Sequence, residues 1–370
     1  TNTGTAHLFE VTRTLKGAGS GGPFRMMNNG LIVTPYHIWD PETGQPVRTT
    51  GVTPEMGIDE QEMAISPDNR YLYFFKKEDP QDVETILEFD LEARSIKPLK
   101  TIPTPGKYAY PKNGVLSPCG RYLAWFIGEK GRQVKMAEVS TGRTLLNISA
   151  PPGAKFERMY SYSFSGNGQY LAVYSTNEAV NPILSVYETA SGSQVLKTQI
   201  GKKNWNLNSY GLSPDGRFLL AAKQRYIYNK APESLVVKVD THSGRIVWEK
   251  KISVPENGRL QHSGFSQDGK YAVVQGSDGN ITLMDSQSGA FIRKLDGESD
   301  QISWWGGSSR LLFNADDTRL YTPVQSGNFL IKDAQTGQEL ARVIELKGQE
   351  WITMIPGGHY ASSENGDEYL

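Results

Sequence analysis

The chain has 370 residues, with 39 Lys+Arg against 40 Asp+Glu, 38 Gly, 20 Pro and one Cys, and a formal net charge of −1. A single cysteine, Cys119, excludes an internal disulfide framework and a cysteine-based zinc site, and no run approaches the roughly 18–20 apolar residues that a membrane span requires. The charge balance provides no long-range attraction to nucleic acid or an anionic surface, and the five histidines contain no H-x-x-x-H pair for a metal.

Length alone suggests two or three domains of about 150 residues each. The first residue is Thr1, with no charged-then-apolar leader after it, so either a targeting segment has been removed or the chain is a piece of a longer one. The first case places the protein outside the cytoplasm, the second within it.

Residues 1–29 read as an N-terminal loop and lead-in strand. Gly17-Ala-Gly-Ser-Gly-Gly22 satisfies G-x-G-x-x-G, but the Pro23-Phe24-Arg25 that follows opens no helix to meet a pyrophosphate, so the phrase reads as a loop. Short strands follow around Leu31–Val33, His37–Trp39 and Pro46–Arg48, with a turn at Trp39-Asp-Pro-Glu-Thr-Gly44.

From Gly57 to Leu346 one phrase recurs. It reads Ser66-Pro-Asp-Asn-Arg-Tyr-Leu72, Ser117-Pro-Cys-Gly-Arg-Tyr-Leu123, Ser165-Gly-Asn-Gly-Gln-Tyr-Leu171, Ser213-Pro-Asp-Gly-Arg-Phe-Leu219 and Ser266-Gln-Asp-Gly-Lys-Tyr-Ala272. Asn314-Ala-Asp-Asp-Thr-Arg-Leu320 is a degraded copy, and Ile355-Pro-Gly-Gly-His-Tyr-Ala361 is a last echo. The copies lie about 41 to 53 residues apart, the period of propeller blades rather than of helical solenoids.

A second phrase follows each of the first six after an apolar, β-branched run, most clearly at Val239-Asp-Thr-His-Ser-Gly244, Met284-Asp-Ser-Gln-Ser-Gly289 and Lys332-Asp-Ala-Gln-Thr-Gly337. In both phrases Pro presets a corner, Asp or Asn tolerates the next position, and Gly takes the positive φ that ends a tight hairpin. Each period is therefore four short antiparallel strands, which is one blade.

Six such blades, with 30–56 and 347–370 joined as a closing seventh, predict an all-β, seven-bladed β-propeller of four-stranded antiparallel blades. Its ring is closed by N- and C-terminal strands, and the whole of 1–370 is one domain. Eight blades result if the two ends form separate ones.

The Ser-Pro-Asp-Gly-(Arg/Lys)-(Tyr/Phe)-Leu phrases, running from about Gly30 to Leu370, resemble the WD40-type β-propellers, especially divergent bacterial ones. Trp-Asp occurs once, at Trp39-Asp40, and the repeats do not open on the family's Gly-His pair, so its Asp–His–Ser–Trp network is not carried over. The closing Glu350–Tyr360 segment is similar to the end of bacterial propellers that accompany caspase-like or other signalling domains, which implies a further domain outside this chain. Val239–Trp248 is similar to the repeat of quinone-dependent dehydrogenases. Their Trp recurs here only once and their adjacent cysteine pair is missing, so no quinone is expected.

The turn residues Asp68, Asp215, Asp240, Asp268, Asp285 and Asp333 repeat with the blades, which assigns them to turn hydrogen bonds and not to catalysis. Cys119 takes the place of one of them and reads as an incidental thiol. No catalytic residue, cofactor or metal site is expected.

The loops between blades, and those between second and third strands, share one end of the disc and carry interleaved basic and aromatic residues. The candidate partner-binding residues are Lys107, Tyr108, Tyr110, Arg158, Tyr160, Lys203, Trp205, Tyr226, Tyr228, His262, Trp304 and Trp305. Exposed aromatics and Arg are what interface hot spots favour, so a protein partner or larger complex is expected. Aromatic platforms also suit single-stranded nucleic acid, but the net charge and the acidic loop residues oppose that. The competing readings are aromatics that merely cap the ring, an enzyme or small-ligand binder using the central channel, and a sensor domain of a larger polypeptide.

Overall fold

The computed structural model describes residues 24–27, 29–66, 68–78, 83–103, 115–127, 133–149, 162–176, 181–201, 205–227, 230–255, 258–296, 312–314, 316–324, 328–346 and 350–369. Seven sheets of antiparallel strands follow one another along the chain, and they form the ring of a β-propeller. Blades 1 to 7 lie within 24–49, 58–103, 115–149, 162–199, 206–252, 260–295 and 312–345.

Seven clusters of buried apolar side chains hold the ring, and each joins two neighbouring blades. Met27, Val33 and Ile38 of blade 1 meet Met63, Leu72 and Phe74 of blade 2. At the opposite joint Phe24, Ile32 and Trp39 of blade 1 meet Tyr321, Phe329 and Val343 of blade 7. The other five joints repeat the arrangement. A strand sandwiched between blades is buried on both faces, so it reads as a continuous apolar run such as Leu219-Leu-Ala-Ala222, wholly buried. The fourth strand of each blade lies at the rim, and Ile246–Ile252 shows the consequence by burying only Trp248.

Both turn phrases lie at one end of the disc. In blades 2 to 7 a backbone N–H of the second turn donates to a carbonyl of the first, from Leu91 to Arg70 through Ala334 to Thr318, at 2.7–2.9 Å. Within the first turn the Ser213 hydroxyl donates to Asp215 Oδ1 at 2.6 Å and accepts the Phe218 N–H at 2.9 Å. Ser66, Ser165 and Ser266 repeat this with Asp68, Asn167 and Asp268. The assignment of these carboxylates to turns therefore holds, and the Ser66 hydroxyl, then the Arg70 N–H, keeps Asp68 below the ordinary carboxylate range. Cys119 keeps the same place, 3.3 Å from Ser117 Oγ. Gly216 is required twice over: its φ is +77°, and a Cβ there would meet the Tyr170 ring of the preceding blade at 2.1 Å.

One expectation is corrected. Among the described residues, the strands of 30–56 and those of the C-terminal segment do not share a blade, as the expected joining of 30–56 with 347–370 required. Blade 1 is complete without the C-terminus, because Arg25–Met26 turns at Gly30 (φ +84°) and pairs with Ile32–Val33 as its missing strand. Trp351–Met354 and Tyr360–Ser362 instead extend blade 7 outward from Glu339–Glu345 as fifth and sixth strands. The two ends still close the ring by packing: Trp351 meets Trp39 edge-on at 5.8 Å, and Thr353 Oγ1 donates to the Gly44 carbonyl at 2.5 Å.

The same joint contains a buried polar network. Thr34 Oγ1 donates to Glu345 Oε1 at 2.5 Å and accepts from Trp39 Nε1 at 3.0 Å, while His37 Nδ1 lies 2.8 Å from Glu345 Oε1. Removing the hydroxyl with Thr34→Val strands Trp39 Nε1 and leaves Glu345 with His37 alone, so stability should fall by about 1–3 kcal/mol in equilibrium denaturation.

A second buried carboxyl marks the joint of blades 6 and 7. Asp317 occupies the position that is Gly in four other turns, at φ +57°, is 9% exposed, and has no well-formed hydrogen bond from a donor. Burial, and then the hydrogen bond with and the charge of Asp268, push it up to about 7, with Gln267 N–H and Lys270 opposing. Stability from the protonated form is full below the ordinary carboxylate range and is lost as pH rises through about 7. Asp317→Asn, which tolerates the same φ, should remove that pH-dependent component when wild type and variant are denatured side by side from pH 5 to pH 8.

Candidate functional site

Of the residues expected to bind a partner, Trp205, Tyr226 and His262 are described, whereas Lys107, Tyr108, Tyr110, Arg158, Tyr160, Lys203, Tyr228, Trp304 and Trp305 lie outside the described residues. Trp205 directly precedes the first strand of blade 5, Asn206–Leu212, and Tyr226 lies near the end of the second, Phe218–Ile227. Both occupy the end of the disc opposite the turn phrases. His262 is half-buried on the first strand of blade 6, Leu260–Phe265, beside Ser263, whose hydroxyl donates to Ser209 Oγ of blade 5 at 3.1 Å.

Strand alternation distributes the cluster. Lys223 and Arg225, two residues apart, share one side of their strand. Their charges lie 5.3 and 5.7 Å from the Trp205 ring, within cation–π range. Lys223 is buried, and its ammonium donates to the Ile200 carbonyl and to Glu249 Oε2, each at 2.9 Å. Arg225 donates to Glu233 Oε2 at 2.5 Å.

Gln224 and Tyr226 face the other side, toward blade 6. The fully buried Gln224 amide donates to Ser234 Oγ at 2.8 Å, and its oxygen accepts from Asn208 Nδ2 at 2.6 Å and from the Leu260 N–H at 2.9 Å. Tyr226 stands 45% exposed above this knot, with the Arg259 guanidinium 5.9 Å from its ring.

The structure thus brings Trp205 and Tyr226 onto opposite sides of one strand. Sequence reasoning missed Lys223, Gln224, Glu233 and Glu249, which fix them. The available signal was the polar Lys223-Gln-Arg225 continuing directly from the apolar Leu219–Ala222 run.

The cluster places two aromatic rings at this end of blade 5: Lys223 and Arg225 beside Trp205 are each paired with a carboxylate, and Arg259 lies beside Tyr226. Among the described residues no group of three or more His, Cys, Asp or Glu is placed to hold a metal, and no helix is long and apolar enough to cross a membrane.

Gln224→Leu should remove the acceptor of the Leu260 N–H and of the Asn208 amide. The expected outcome is a loss of about 1–3 kcal/mol with faster hydrogen exchange at Leu260, read by denaturation and by exchange mass spectrometry.

No protein-family model matches the chain, and no curated protein matches it either.

Proposed function

We propose that the protein is a non-catalytic interaction module, a propeller of WD40 type that binds a protein partner through its loop-rich end. The observation that carries this reading is that Trp205 and Tyr226 stand at the same end of blade 5, with the cations beside Trp205 paired with carboxylates, while both repeated turn phrases serve the fold. The other candidates, Lys107, Tyr108, Tyr110, Arg158, Tyr160, Lys203, Tyr228, Trp304 and Trp305, lie outside the described residues and belong to the proposal on the strength of their residue types.

The turn phrases support the WD40-type kinship. The unbroken succession of seven interlocked blades supports reading the chain as one domain. Attachment to a signalling domain rests on the Glu350–Tyr360 segment alone.

The test is a displayed random-peptide library selected against the wild-type chain, with each selected peptide then titrated against Trp205→Ala and Tyr226→Ala. Truncating a central hot spot costs about 2 kcal/mol, so affinities should fall about thirtyfold while the unfolding midpoint stays close to wild type. Selected peptides that bind both variants as tightly as wild type would show that this end is not the binding face.

A further inference from the structure

The rim of the disc presents a different surface, independent of the loop-rich end. A fourth strand has its inner edge paired and its outer edge open, and an open edge offers a row of backbone donors and acceptors to another strand. Blade 7 shows that an outer edge of this ring accepts one: Trp351–Met354 pairs antiparallel with Glu339–Glu345, Glu345 opposite Trp351 and Arg342 opposite Met354.

The other outer edges differ in what they leave open. Gln45–Thr49 contains Pro46, and Ser95–Pro103 contains Pro98 and Pro103, each without an N–H. Thr144–Ser149, Gln194–Gln199 and Phe291–Leu295 are shorter than Ile246–Ile252, which has seven residues and no proline.

The surroundings of Ile246–Ile252 are apolar and basic. Ile246 is 59% exposed and Val247 45%, with Val195 on the rim of blade 4 and Phe291, 65% exposed, on that of blade 6. The turn glycines show that these rims adjoin. A Cβ on Gly244 would meet Leu196 at 3.2 Å, and one on Gly289 would meet Trp248 at 2.7 Å and Lys250 at 2.9 Å. Trp248 Nε1 donates to the Ser286 carbonyl at 2.9 Å, which fixes the strand against blade 6.

Lys250 and Lys251 are exposed and form no ion pair among the described residues, whereas the one acidic residue of the strand, Glu249, is paired with Lys223. Like charges directly opposite one another across a strand pair are destabilising. A second copy laid on this edge would bring its own lysines, while an acidic segment would neutralise them.

We propose that the outer edge of Ile246–Ile252 takes up an extended acidic segment of a protein partner as an added strand. Backbone hydrogen bonds supply the attachment, Ile246, Val247 and Phe291 supply apolar contacts, and Lys250 and Lys251 select the charge.

The probe is a labelled peptide of about eight residues in which Glu–Glu and Val–Val pairs alternate, so that both faces of the added strand carry Glu, beside its Lys-for-Glu counterpart. Both are titrated by fluorescence anisotropy against wild type and a Lys250→Glu/Lys251→Glu double variant. Vesicles of phosphatidylserine and phosphatidylcholine form a third arm. The Glu peptide should bind wild type, lose about tenfold or more in affinity on charge reversal, and slow amide exchange in 246–252. The Lys peptide should gain by the same substitution, and Tyr226→Ala should leave both titrations unchanged, which separates this surface from the loop-rich end.

Absence of binding by the Glu peptide, indifference to charge reversal, or protection elsewhere in the ring would overturn the proposal. Vesicle binding that charge reversal abolishes, without peptide binding, would assign the rim to an anionic lipid surface instead.

Discussion

A blade cannot bury both of its faces alone, and a row of blades still leaves two uncovered faces unless the first packs on the last. The fold therefore depends on the joint of blades 7 and 1, where chain-distant residues must meet as closely as neighbours do elsewhere. Trp39 lies at its centre, fully buried, with Phe329 at 6.2 Å and Trp351 at 5.8 Å, both edge-on. Burying the Glu345 carboxylate there is costly unless its oxygen is satisfied, and the Thr34 hydroxyl and the His37 ring satisfy it. Such a network also fixes register, because a slip of one residue along His37–Asp40 would turn His37 and Trp39 away from their partners.

Around the rest of the ring, repetition makes deviations informative. The turn serine and its carboxylate recur in blades 2, 5 and 6. Asn167 serves in blade 4, and in blade 3 Ser117 accepts the Tyr122 N–H while its partner at the carboxylate position is the weaker Cys119 thiol. Blade 7 departs furthest. Asn314 replaces the serine and accepts from Arg319 N–H, and Asp317 stands where a glycine would cost nothing. That substitution places a second carboxyl beside Asp268, and burial with the Asp268 charge pushes it up to about 7, a group that a glycine would not have brought to the joint.

These contrasts explain what could be read from residue order. Ser213-Pro-Asp-Gly216 was legible because the bonds that make its turn join residues at most five apart. A lead-in strand within 1–29 was legible too, but not that Arg25–Met26 would complete blade 1, since that role comes only from pairing with Ile32–Val33. The destination of Trp351–Met354 was hidden for a related reason: both blade 1 and blade 7 could offer it an edge, and local sequence does not choose between them. At the candidate site the aromatics were legible as residue types. That Lys223 and Arg225 face Trp205 while Gln224 ties Tyr226's side to blade 6 depends on strand parity and on Ile200, Glu249 and Leu260, none of them local.

Closing the ring removes free faces but not free edges, because every blade still ends in an outer strand whose far side has no neighbour. The chain treats these edges one at a time. Pro46, Pro98 and Pro103 remove donors from the rims of blades 1 and 2. The last blade covers its own edge with the C-terminal hairpin, which moves the open edge out to Tyr360–Ser362, only three residues long. Along blades 4 to 6 neither device is used, and cationic side chains accompany exposed Val195, Ile246 and Phe291. Lysine on an open edge repels an identical edge but not every edge. On the proposed reading, the lysines that disfavour pairing with an identical edge leave this rim open to an acidic one.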